Sequence, residues 1–312
     1  MSEAPSVGQQ HRSLEDTPVR VVSARPTLAT RLKNLWSRRE LLLGLIFSDI
    51  RIKYKNSTLG IFWSMLSPAF TLGVYFLVFA VFLRNGIPNF VIYLFSGLVV
   101  WNMFQNSINT ATGVIVDRAA LVKKVSFPRE ILALSNVGAA VVYFLVQLAV
   151  LIIFVAAIGH APAWRFLLIL PISFLALYFF TSALAMVMSA INVYLRDMKH
   201  LMEVLLQLWF WLTPVVYSYE HSIAPHLSRH GLSLIYFVNP ITLIVMTFQR
   251  VFYVKTIVKS TVAPYPMINI LPTWSFDKFL ALNAALLVVT IALFFIAEAI
   301  FGRLEGNFES EL

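Results

Sequence analysis

ILALSNVGAAVVYFLVQLAVLIIFVAAI, residues 131–158, runs for 28 residues without an Asp, Glu, Lys or Arg. As a helix rising about 1.5 Å per residue it reaches roughly 42 Å, more than the roughly 30 Å of a bilayer's hydrocarbon core. Comparable runs occupy 59–83, 90–116, 166–195 and 279–301, with a weaker one at 202–219, where Glu203 and Glu220 enclose 16 residues interrupted by Pro214. The 312-residue chain is 59% hydrophobic and only 12% charged, against about 25% charged in ordinary soluble domains. A water-soluble globule is excluded. The pattern predicts an all-α integral membrane protein of six transmembrane helices. With no cysteine, disulfides, thiolate metal sites and cysteine nucleophiles are excluded.

Around these spans the chain divides into an N-terminal tail, residues 1–27, too polar to bury a core, and an amphipathic interfacial helix over 28–57. In the latter Leu28, Leu32, Leu35, Leu42, Ile46 and Ile50 recur at helical spacing among Arg31, Lys33, Arg38 and Arg51, with Trp36 near the apolar stripe. The transmembrane domain covers 58–303, and 304–312 is a polar tail. Between spans five and six lie residues 220–278, expected to form an outer segment. Its uncharged piece 230–249 is broken at Asn239–Pro240, which favours two short re-entrant helices over one crossing rod. Six spans put 17 of the 24 Lys and Arg on the side of the termini and 7 opposite, so both termini are cytoplasmic. A seventh span would make the split 20 to 4, which is evidence for crossing.

Ionisable residues are almost absent from the span interiors, and Glu298 stands near the cytoplasmic end of span six, where it is expected to pair with a neighbour such as Arg303. Ion-coupled carriers keep carboxylates or histidines at mid-membrane, so that class is disfavoured. Neutral polar groups instead fall on faces. Gly60, Ser64, Ser67 and Thr71 share one side of span one; Asn102, Asn106, Asn109 and Gly113 share one side of span two. Packing between helices accounts equally well for the first set; three asparagines favour a wet route for the second. In span five Gln207, Trp211, Pro214 and Ser218 share a side, and an amide beside an indole suits a sugar surface. No glycine is followed by lysine, so the GxxxxGK[ST] phosphate loop is missing and the chain is not an ATPase by that route. His226 and His230 have a metal-pair spacing, but no carboxylate is fixed beside them; no metal site is predicted. Arg51, Lys53 and Lys55 at the entrance to span one are inside-positive anchors that also suit a lipid diphosphate.

Four strings, IRIKYKNSTLGIFWSMLSPAF (50–70), KKVSFPREIL (123–132), NVYLRDMKHL (192–201) and NPITLIVMTFQRVFY (239–253), together resemble the ABC-2 type permeases that export polysaccharides and teichoic acids. The similarity covers about residues 30–305. It implies a homodimer in the bacterial cytoplasmic membrane, paired with two copies of a nucleotide-binding ATPase subunit that carries the ATP and Mg; this chain would bind no cofactor and no nucleic acid. The cargo implied is a polyprenyl-diphosphate-linked glycan such as O-antigen, teichoic acid, capsule or cell-wall galactan, with lipid or drug efflux as the alternative. Lys123, Lys124, Phe127, Pro128 and Arg129 would sit in the first coupling loop and Arg196 and Asp197 in the second cytoplasmic turn.

Overall fold

A computed structural model describes residues 28–54, 63–125, 127–225, 236–264 and 266–312. The protein is an all-α multi-pass membrane protein; among the described residues, four helices are long and apolar enough to cross a bilayer. These are α4 (Phe90–Asp117), α6 (Glu130–Ala157), α8 (Leu170–Tyr194) and α11 (Phe276–Leu304). The first span is shorter in α-helical form: α3 (Trp63–Phe76) passes into a π-helical stretch, Leu77–Phe82. α9 (Met198–Trp211) begins before Met202 and stops at Trp211, so Pro214 and Ser218 lie beyond its end and do not continue the face of Gln207 and Trp211. α10 (Pro240–Phe252) starts where the sequence break was read: Asn239 Oδ1 accepts from the Ile241 amide at 3.1 Å, and Pro240 occupies the first turn, where no donor is lost. The tail 1–27, Lys55, and His226 and His230 lie outside the described residues.

α4 forms the centre. Nearly all of its apolar surface is buried against α6, α8, α9 and α10, whereas α11 leaves most of its surface outward, as a lipid-facing helix does. α8 meets its neighbours through small buried residues, Ser173, Ala176, Ala183, Ala185, Ser189 and Ala190. Close backbone approach through such residues drives helix association where lipid tails are as apolar as leucine. α10 is buried along its length, and Thr247 and Asn283 join it to α11, with Asn283 Nδ2 donating to Thr247 Oγ1 at 3.0 Å. On the same side as the α10 C-terminus a small antiparallel hairpin, β1 (Ile257–Lys259) and β2 (Met267–Asn269), buries Val258 and Ile268. Three-residue strands carry too little alternation to be read from sequence. Gly86, at φ +76°, lets the chain pass this hairpin: a Cβ there would stand 2.5 Å from Ser260 Oγ.

The interfacial segment is two helices, α1 (Leu28–Ser37) and α2 (Arg39–Tyr54). Trp36 is exposed with the Arg39 guanidinium 5.8 Å above its ring. α2 packs on α6, so closely at Gly138 that a Cβ would meet Ile46. α5 (Ala119–Lys124) follows α4, α7 (Trp164–Leu167) precedes α8, and after a 3₁₀ turn at Glu305–Asn307 the chain ends in α12 (Phe308–Glu311). Within this polar tail Phe308 is fully buried, edge-on to Phe301 at 5.7 Å.

Candidate functional site

The amides of α4 face a cavity. Ser67, Thr71, Asn102, Asn106 and Asn109 line, with Gln105, Tyr143 and Gln147, a space of about 420 Å³ between α3, α4 and α6. A second space of about 150 Å³ shares Thr71, Asn102 and Gln105 with it and adds Tyr75, Trp101, Gln207, Phe210 and Trp211 from α3, α4 and α9. Two of the three faces read from the sequence therefore meet the third in adjoining grooves; the side chain of Ser64 lies outside the described ones. Among the described residues, neither groove is lined by an Asp, Glu, Lys, Arg or His.

The polar lining is ordered from within. Asn102 Nδ2 donates to Gln147 Oε1 at 3.0 Å, which ties α4 to α6, and Trp101 Nε1 donates to Gln105 Oε1 at 2.9 Å. The Asn109 Oδ1 atom is buried without a hydrogen-bonding partner among the described residues. Rings make the other wall: Tyr75 stacks on Phe210 at 5.4 Å, Phe210 meets Trp101 and Trp211 edge-on at 5.4 Å each, and Trp211 is 49% exposed. Such a surface offers an uncharged hydroxylated ligand replaceable hydrogen bonds and apolar faces, each weak enough to release.

Trp101, Gln105, Tyr143 and Gln147 were not read from the sequence. The stripe Trp101–Gln105–Asn109 at spacing four was available as a signal. Tyr143 and Gln147 are also four apart on α6, but nothing in an otherwise apolar run says which neighbour they face.

Toward the C-terminal end of α4 a third space of about 230 Å³ shares Asn106 and Tyr143 with the large groove and is bordered by Asp49 and Arg118. These two form an ion pair, and Ser135 Oγ donates to Asp49 Oδ2 at 3.4 Å, so α2 is fastened to the end of α4 and to α6. A larger node fastens α1. Arg31, 8% exposed, donates to Glu298 at 2.8 Å, Glu305 at 2.8 Å and Glu130 at 3.2 Å, joining α1 to the start of α6 and the end of α11. Burial alone would lower the Arg31 pKa; Glu130, Glu305 and Glu298 outweigh it and hold the guanidinium above its ordinary value. Glu298 thus pairs with Arg31 rather than with Arg303, a partner 267 residues away that no local spacing reveals.

The loop expected to meet an ATPase lies on this face. Lys123 and Lys124 are exposed in the last turn of α5, Phe127 is half-buried against the core, and Pro128 precedes the first turn of α6. The Arg129 side chain donates to the Glu305 carbonyl at 3.0 Å. Arg196 and Asp197 are exposed between α8 and α9, and Lys199 just beyond them stands 3.7 Å from Asp117 at the end of α4. Arg51 is exposed on α2, and Lys53 falls in its last turn. Among the described residues, no group of three His, Asp or Glu side chains is placed to hold a metal ion.

Apolar helices that enclose uncharged polar grooves and carry their charged residues at the helix ends fit a membrane permease. Residues 22–253 match the family described as ABC-2 type transporter, and the chain belongs to it. It is 35% identical over 222 residues, 71% of this chain and 84% of the relative, to the O-antigen export system permease protein RfbA of Myxococcus xanthus. Two RfbA permease proteins of Klebsiella pneumoniae are 29% identical over 185 residues (59% of this chain, 71% of theirs) and 27% identical over 219 (70% and 82%). ABC-2 membrane permeases lack a nucleotide-binding catalytic domain, in keeping with the missing phosphate loop.

Proposed function

We propose that this chain is the permease subunit of an ATP-driven exporter that moves a lipid-linked polysaccharide of the O-antigen type out of the bacterial cytoplasm, with ATP hydrolysed by a separate subunit. The observation that carries the reading is the pair of adjoining grooves lined by Thr71, Asn102, Gln105, Asn106, Gln207 and Trp211, with no charged side chain among the described residues that line them. A polyhydroxylated chain must slide past many equivalent positions, and an ionic well would trap it where amides and rings do not. The relatives' O-antigen export function and the family membership support the same cargo class.

In this reading the chain forms six spans in the cytoplasmic membrane, with both termini cytoplasmic and a homodimer completing the conduit. α10 and the hairpin between spans five and six form the outer gate. Two ATPase subunits dock on the α5 loop at Lys123, Lys124, Phe127, Pro128 and Arg129 and on the turn at Arg196 and Asp197. Arg51, Lys53 and Lys55 draw the lipid diphosphate to the α2 face.

Asn106→Ala and Trp211→Ala are expected to lower surface polymer in cells at least several-fold while the complex with the ATPase still assembles. Unchanged export in both variants would remove the grooves from the route.

A further inference from the structure

The large polar groove has an apolar annex. Pro68, Ala69, Leu72, Phe95, Val150 and Phe154 line a separate space of about 190 Å³ between α3, α4 and α6, closed on its polar side by Gln147. Pro68 and Gln147 belong to both spaces. Within one seam, the wall of α3 and α6 therefore turns from amides and hydroxyls to pure hydrocarbon.

Depth decides what this arrangement fits. Asn102, bonded to Gln147, lies 12 residues after Phe90 and 15 before Asp117, near the middle of α4. A resident phospholipid keeps its head at the membrane surface, roughly 15 Å from that level. Its acyl tail has no use for a polar chamber at mid-span. An amphiphile in transit needs both at once, because its head must cross the midplane among hydrogen-bonding groups while its chain stays in hydrocarbon. Ala69 is exposed at the rim, so the apolar space opens on the surface of the subunit.

We propose that the Pro68–Phe154 cavity is the berth of the cargo lipid's hydrocarbon chain while its polar head occupies the adjoining amide-lined groove. This deepens the exporter reading and rests on it. The chain then leaves sideways between α3 and α6 of a single subunit, and the head is handed along Asn106 and Asn102 without the chain entering the polar lane.

The test uses the full permease–ATPase complex in phosphatidylethanolamine–phosphatidylglycerol vesicles. Leu72→p-benzoylphenylalanine or Val150→p-benzoylphenylalanine is photolysed in the presence of a tritiated polyprenyl-diphosphate oligosaccharide. Both positions are expected to label the tritiated lipid, and excess unlabelled polyprenyl-diphosphate oligosaccharide should abolish the label. The same probe at Val74, 58% exposed and outside both cavities, should capture phospholipid. In transport, Leu72→Trp is expected to lower export at least tenfold and Val74→Trp to stay within twofold. Labelling of phospholipid alone at Leu72 and Val150, or export within twofold for Leu72→Trp, overturns the berth. The labelling result does not depend on how the tryptophan variant folds. A complex in which Asn106→Ala exports normally would instead unseat the polar route, whatever Leu72 labels.

Discussion

Replacing Arg31 by leucine removes one cation from among three carboxylates. The side chains of Glu130 and Glu298 are 1% and 0% exposed. Removing one member of a buried ion pair costs about 3–5 kcal/mol, chiefly because the opposite charge stays desolvated and unpaired. At roughly 2–4 °C per kcal/mol for a chain of this size, the melting temperature should fall by on the order of 10 °C. The assay is thermal aggregation of the purified permease in detergent at neutral pH. Since the penalty belongs to the stranded carboxylates, Arg31→Leu combined with Glu130→Gln and Glu298→Gln should recover most of the loss. A single variant that melts within a degree of the parent would refute the node as a stabilising element. A triple variant less stable than the single would refute the assignment of the cost to unpaired charge.

Gly302→Ala tests the same node from below, because a Cβ there would collide with the Arg31 guanidinium. Alanine gains about 1 kcal/mol of helix propensity over glycine, so a net fall in melting temperature is the expected sign of a displaced α1; a rise would show that nothing presses on Gly302. For the Asp49–Arg118 pair, a double-mutant cycle with Asp49→Asn and Arg118→Met should give a coupling of about 1 kcal/mol or more, above the value usual for exposed pairs. Additive effects would show that α2 is not held through this contact.

How far the sequence reaches depends on whether a signal is local. Asn102, Asn106 and Asn109 could be placed on one face because helical spacing fixes their mutual direction, and the cavity they line also takes in Ser67 and Thr71. Gln147 could not, since a lone amide in an apolar helix gives no hint of α4, 45 residues away. Arg31 read only as part of a basic face; its partners lie 99, 267 and 274 positions along the chain. Pro214 misled in the opposite direction: helical spacing placed it beside Trp211, but α9 ends first, and the Pro214 carbonyl instead accepts from Gln249 Nε2 at 2.9 Å. The buried Phe308 shows the limit for short segments, in which one aromatic among polar residues decides docking without leaving a pattern.

In this reading the grooves conduct cargo but supply no energy. Transport of a tritiated polyprenyl-diphosphate oligosaccharide into proteoliposomes tests it, with the purified permease reconstituted alone under an imposed proton or sodium gradient, then with its ATPase partner and ATP. No uptake above background is expected in the first case and ATP-dependent uptake in the second. Gradient-driven uptake by the permease alone would contradict it.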